Sequence, residues 1–74
     1  MNVTTIEKTV ASNGNMARLV AVNGDYQLSH YFVEVRINRE LKMVGRHEPN
    51  EYEIAKASYD WRAEAITRCA AQSA

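Results

Sequence analysis

Two Asn-Gly pairs, ten residues apart, place the strongest constraint on how this chain can fold. Asn13-Gly14 and Asn23-Gly24 each lie between short runs of residues that favour β-strands. Asn and Gly tolerate the two left-handed positions of a type I′ turn, whose twist matches that of the strands it joins. The pairs therefore predict an antiparallel meander, and each turn fixes which side chains share a face of the sheet.

The segments around these turns predict four strands followed by one helix. We expect strands at about residues 3–10, 16–22, 26–37 and 41–46, and a helix at about residues 51–71. Pro49 ends the sheet region, and Asn50 with Glu53 has the spacing of a helix N-cap and its N3 partner. The order ββββα predicts a single α+β domain spanning residues 1–74, built as a two-layer sandwich with the helix packed on one face of the sheet.

The two predicted turns also predict strand registers. Two-residue turns would pair Val10 with Ala17 and Ala21 with Tyr26. In this register, apolar side chains of the first three strands share one face and polar side chains share the other. This alternation is typical of a sheet that is covered on one side only.

The third strand breaks this alternation, because its later apolar residues have odd numbers and its earlier ones have even numbers. A β-bulge in His30-Tyr31-Phe32 would restore one apolar face. A three-residue turn at 38–40 would then pair Ile37 with Leu41.

The predicted helix has one stripe of apolar and small residues at helical spacing. Its members are Ile54, Ala57, Ser58, Trp61, Ala65 and Cys69. We expect this stripe to pack on the sheet, with Trp61 as its anchor.

One helix is too narrow to cover the sheet. Four strands span about 19 Å, and a helix is only about 10 Å wide, so apolar surface should remain exposed. Exposed apolar surface of this kind usually marks an interface. The residues that we expect at a protein interface, near the predicted bulge and on the outer side of the helix, are Tyr31, Phe32, Tyr59 and Ile66.

A basic sheet face is the alternative binding surface. The predicted register places Arg36 opposite Lys42, with Arg46 nearby and Arg18 two strands away. Strands backed by a helix resemble in shape the arm-binding domains of tyrosine recombinases and the plant AP2 domain. The resemblance implies that such a face could enter the major groove of DNA.

The sequence predicts no enzymatic chemistry, no metal and no cofactor. His30, His47 and Cys69 match no zinc-binding spacing, and no nucleophile lies in a recognised catalytic motif. Nine basic and nine acidic residues balance, which argues against bulk attraction to nucleic acid or membranes. A single cysteine and the absence of a long apolar run or signal peptide predict a cytoplasmic location with no membrane partner.

A meander followed by an alanine-rich helix with the entry Asn50-Glu-Tyr-Glu-Ile-Ala55 resembles small accessory proteins encoded by bacteriophages and prophages. The resemblance implies a protein that acts by binding and blocking or redirecting a host protein. We therefore expect a non-enzymatic interaction protein. Its partner would be a second copy, in a homodimer, or an unidentified protein.

Overall fold

The computed structural model describes residues 2–73, which form one antiparallel sheet with one helix against it. The strands, in spatial and chain order, are β1 (Asn2–Val10), β2 (Met16–Asn23), β3 (Leu28–Ile37) and β4 (Glu40–His47). The helix is α1 (Tyr52–Ser73). The α+β fold predicted from the sequence is confirmed.

The β1–β2 connection is a three-residue loop and not the expected two-residue turn. The Gly14 amide donates to the Ala11 carbonyl at 2.9 Å, and the Ala11 amide donates to the Asn15 carbonyl at 2.7 Å. Gly14 has a left-handed φ of 90°, whereas Asn13 does not adopt a positive φ. A turn followed by one left-handed residue is the usual three-residue hairpin loop, and glycine occupies that position without strain.

The longer loop shifts the β1–β2 register by one residue. Val10 pairs with Met16, so the predicted pairing of Val10 with Ala17 is wrong. Because side chains alternate along a strand, this shift moves every β1 side chain near the loop to the opposite face. Thr9, which pairs with Ala17, therefore faces the helix, while Val10 is exposed on the other side.

The second connection is also longer than predicted. Four residues connect β2 to β3, and within them the Gly24 amide donates to the Gln27 carbonyl at 2.8 Å, so the chain turns at Asp25 and Tyr26. Ala21 consequently pairs with Tyr31, and the predicted pairing with Tyr26 is wrong. Tyr26 lies in the loop and is fully exposed.

The left-handed two-residue geometry occurs at the third connection, where no Asn-Gly pair exists. Asn38 and Arg39 have φ values of 53° and 71°, and Ile37 pairs with Glu40. Two left-handed central residues are the signature of a type I′ turn. The predicted three-residue turn, and with it the pairing of Ile37 with Leu41, is wrong.

We expect replacement of Arg39 by glycine to stabilise the protein. A left-handed conformation destabilises a residue that has a Cβ atom by roughly 1–2 kcal/mol, and glycine avoids this strain. Glycine loses more backbone entropy on folding, which offsets part of the gain, so the net stabilisation should be up to about 1 kcal/mol. Urea unfolding measures the change. As the control, Arg36→Gly, at a position of β3 that is paired with both neighbouring strands, should destabilise the protein. A destabilised Arg39→Gly would contradict the turn geometry.

Three β-bulges adjust the faces of the sheet. They lie at Ile6 in β1, Ser29 in β3 and Val44 in β4, where one strand carries an extra residue relative to its neighbour. The bulge at Ser29 directly precedes the segment His30-Tyr31-Phe32, in which the sequence predicted one. It brings the odd-numbered apolar residues of β3 to the helix side.

The core lies between α1 and one face of the sheet. Its buried sheet and loop members are Ala11, Ala17, Leu19, Val33 and Val35, and its buried helix members are Ala55, Tyr59, Ile66 and Ala70. The Tyr59 hydroxyl and the Thr9 Oγ1 are hydrogen-bonded at 2.6 Å, which gives the buried phenol a polar partner. This stripe of helix residues, and not the one predicted, attaches α1 to the sheet.

The predicted core stripe lies on an exposed flank of the helix. Trp61 is 59% exposed and Ile54 is 55% exposed, so the prediction that Trp61 anchors the core is wrong. Conversely, Tyr59 and Ile66, which were expected on the outer side of the helix, are buried. The helix carries two apolar stripes, and the one that is buried is the opposite of the one predicted.

The helix entry is stabilised by a reciprocal pair of hydrogen bonds. The Glu51 amide donates to the Glu48 carbonyl at 2.9 Å, and the Glu48 amide donates to the Glu51 Oε1 at 2.7 Å. The expected cap by Asn50 is wrong, because the side chain of Glu51 reaches back across Pro49 instead. This closed turn sets the angle at which the chain leaves β4.

Alanine substitutions distinguish the two stripes of the helix. Ile66→Ala should destabilise the protein by about 2–4 kcal/mol, because it leaves a cavity beneath the helix. Trp61→Ala should cost less than about 1 kcal/mol, because the indole is largely exposed. Urea unfolding of both variants tests this order, and the reverse order would contradict the packing of Ile66 against the sheet.

Candidate protein-interaction surface

Within residues 2–73, no second layer covers the sheet face opposite α1. Ala17, Leu19, Val33 and Val35 face the helix, so the residues between them point to the other side. Strand pairing arranges that side in four rows: Val3–Val22–His30, Thr5–Val20–Phe32–Arg46, Lys8–Arg18–Glu34–Met43 and Val10–Met16–Arg36–Leu41. We call this surface the open face.

The apolar side chains of the open face are buried at its centre and exposed at its edges. Val20 is fully buried between its cross-strand neighbours, although no other layer covers it. The exposed members all lie on the edge strands and are Val3, Val10, Leu41 and Met43, between 53% and 70% exposed. Exposed apolar side chains at both edges extend the surface that a partner could desolvate.

One ion pair crosses the middle of the open face. The Nε of Arg18 donates to Oε2 of Glu34, and a terminal nitrogen of Arg18 donates to the Thr5 hydroxyl at 3.1 Å. Only 11% of the Glu34 side chain is exposed. The pair thus connects the three strands β1, β2 and β3 and neutralises the only carboxylate of the open face.

The other charges of the open face are positive. Lys8, Arg36 and Arg46 lie in three of its rows, and none has an ion-pair partner among the residues that the structure describes. The whole chain has equal numbers of acidic and basic residues, so the balancing acidic residues lie outside the open face. The open face therefore carries an excess of positive charge that the formal net charge of zero conceals.

Only one of the four predicted interface residues lies on the open face. Phe32 is half-buried there and stacks on His30, with ring centroids 5.7 Å apart. Tyr31 lies on the helix side, where it packs on the core and contacts Tyr52 edge-on at 5.4 Å. Tyr31 and the buried pair Tyr59 and Ile66 stabilise the monomer, so the prediction that Tyr59 and Ile66 line an outer surface is wrong.

The predicted basic face is only partly assembled. Arg18, Arg36 and Arg46 share the open face, but Lys42 pairs with Val35 and lies on the helix side. The predicted opposition of Arg36 and Lys42 is wrong, because the two-residue turn at 38–39 pairs Arg36 with Leu41. Arg18 is also engaged by Glu34, which leaves two of the four predicted residues available for a ligand.

Sequence reasoning missed the edge residues of the open face. The predicted register places Val10 on the core side, and the predicted binding residues do not include Val3, Lys8 or Met43. The missing information was the length of the loop at 12–14, because a single residue there exchanges the two faces of β1. The alternation of side chains along β1 is the same in both registers, so it does not show which set of residues faces the helix.

A charged cluster on the other side ties β1 to the helix. Lys56 Nζ contacts Asp60 Oδ1 at 2.6 Å and Glu7 Oε2 at 2.7 Å. The hydrogen bond to Asp60, followed by that to Glu7, raises the pKa of Lys56 above its ordinary value. The ammonium group is therefore charged throughout the physiological pH range and holds the edge strand against α1.

Three further observations bear on chemistry and on kinship. Within the described residues, no three His, Cys, Asp or Glu side chains are grouped closely enough to hold a metal ion. No helix in that part of the chain combines the length and apolarity that crossing a membrane requires. Comparisons with protein-family models, curated proteins and solved structures find no match, so what the protein binds is inferred from its own surfaces.

A double-mutant cycle tests the central ion pair. Arg18→Gln and Glu34→Gln should each be destabilising, with a coupling energy of about 1–3 kcal/mol, because the partly buried pair is weakly screened by solvent. The exposed pair Glu64 and Arg68, 3.6 Å apart, is the matched control and should couple by less than about 0.5 kcal/mol. Urea unfolding provides the measurements, and equal coupling in the two pairs would contradict a central role for Arg18.

Proposed function

We propose that the protein is a non-enzymatic interaction module that binds another protein through the open face. The observation that supports this most is the combination of exposed apolar edges with unpaired cations on one uncovered sheet face. Phe, Met and Arg are enriched in the cores of protein interfaces, and all three occur there. The resemblance to small phage accessory proteins favours the same kind of action, by binding and not by chemistry.

The charge of the open face selects the kind of partner. Lys8, Arg36 and Arg46 would attract a surface that presents carboxylates around an apolar centre. A second copy of the same face is a poor partner, since like charges would meet across the interface. The expected homodimer therefore requires another surface, and the open face suits a different protein with an acidic surface.

Leu41 and Ile54 provide a matched pair of variants for testing this proposal. Leu41 is 53% exposed on the open face, and Ile54 is 55% exposed on the helix, so neither substitution buries a carboxylate. We expect Leu41→Asp to reduce partner affinity by at least about tenfold, through lost apolar contact and repulsion of an acidic surface. Ile54→Asp should leave the affinity within about twofold of the original.

The measurement has two stages. Capture from an extract of the cells that make the protein, with the original protein and both variants in parallel, identifies what depends on Leu41. Calorimetry with the purified partner then gives the affinities, and binding should weaken as the salt concentration rises. A partner that is lost on Ile54→Asp and retained on Leu41→Asp would overturn the assignment of the open face.

Nucleic acid is the second candidate, because three cations without ion-pair partners share the open face. Lys8, Arg36 and Arg46 could contact phosphates, and the apolar edges would then contribute little. Fluorescence anisotropy with a labelled duplex at about 50 mM salt distinguishes the candidates. Binding that is abolished by Arg36→Glu and unchanged by Leu41→Asp would favour nucleic acid, whereas no binding at this salt concentration removes it.

A further inference from the structure

A concave surface lies between the exposed flank of α1 and the strands β3 and β4. It is a half-open groove of about 410 Å³, which is within the usual size range of small-molecule sites. Most of its lining is apolar and includes Val35, Ile37, Val44, Trp61, Ala65 and Ile66. The groove is on the side of the sheet opposite to the open face, so the two surfaces are independent.

The charged side chains that line the groove are both positive. They are Lys42 from β4 and Arg62 from α1. The guanidinium carbon of Arg62 lies 4.4 Å from the centre of the Trp61 ring, and its Nε is buried without a hydrogen-bond partner among the described residues. Lys42 has only a distant carboxylate, that of Glu40 at 4.0 Å. Both cations line the groove without a close acidic partner in residues 2–73, so the groove favours an anion.

The dimensions of the groove limit its ligand. Along the helix it extends from Trp61 to Cys69, a distance of eight residues or about 12 Å. This length matches an extended hydrocarbon chain of about eight to ten carbon atoms, lying along the apolar wall. The lining thus provides an apolar channel for a chain and positive charge for a head group.

We propose that this groove binds a medium-chain carboxylate amphiphile. Its hydrocarbon chain lies between the helix and β4, against Trp61, Val44 and Ile37. Its carboxylate accepts charge-assisted hydrogen bonds from Lys42 and Arg62. This site does not depend on the proposed function of the open face.

The intrinsic fluorescence of Trp61 tests the proposal directly, because the chain contains one tryptophan and it lines the groove. Titration with decanoate, below the concentration at which it forms micelles, should produce a saturable shift of the emission to shorter wavelength. Decanol and decylamine have the same chain without the negative charge. They should bind at least about tenfold more weakly.

Charge-removing variants locate the head group. Lys42→Gln and Arg62→Gln should each weaken decanoate binding by about tenfold. Arg46→Gln, which removes a cation from the open face, is the matched control and should bind decanoate normally. Lys42 is exposed on a strand, so we expect Lys42→Gln to fold. This variant alone tests the head-group site if Arg62→Gln does not fold.

Two results would overturn the proposal. Equal affinities for decanoate and decylamine would mean that the cations do not select the ligand. If the emission wavelength of Trp61 does not change with decanoate but shifts with protein concentration, the groove binds a second copy of the chain. Leu41→Asp separates this site from the open face, because it should leave decanoate binding unchanged whether or not the open face binds a protein.

Discussion

The loop at residues 12–14 determines which side chains of β1 reach the helix. With Gly14 in the left-handed region, the strand register places Thr9 and Glu7 on the helix side. There Thr9 is hydrogen-bonded to Tyr59, and Glu7 forms an ion pair with Lys56. These two polar contacts join the edge strand β1 to the second layer. The same register turns the apolar residues of β1 outward and creates one edge of the open face.

The helix could have packed on the sheet through either of two apolar stripes. The stripe that is buried has small residues near both ends, Ala55 and Ala70, which let the helix axis approach the strands closely. Between them, Tyr59 finds a hydroxyl partner, so its polar tip is satisfied inside the core. Trp61 has a larger ring with an indole N–H, and burial at the centre of this thin core would need both more space and an acceptor. At the flank, the ring instead lies against the guanidinium group of Arg62 and forms a wall of the groove.

The element order could be predicted from the sequence because the relevant signals are local. Pro49, the spacing of the loops and the glycine-free segment after Glu51 define four strands and a helix without knowledge of any long-range contact. The register could not be predicted in this way. Asn-Gly fits two-, three- and four-residue loops at small differences in energy, and the choice is made by burial of side chains far along the chain. The turn at Asn38-Arg39 illustrates the same limit, since an arginine occupies a left-handed position of a two-residue turn without any glycine to indicate it.

Formal net charge is therefore a poor guide to what this protein can bind. The same number of charges of each sign can give a neutral surface or a strongly dipolar one, depending only on which faces the strands present. Here a one-residue choice of loop length places Lys8 on the open face and Glu7 on the helix side. Arg36 and Arg46 add to the positive side, whereas Asp60 and Glu7 are held by Lys56 on the other. A molecule with this separation of charge approaches an acidic surface with its open face first. Electrostatic steering and exposed apolar edges thus favour the same docking orientation.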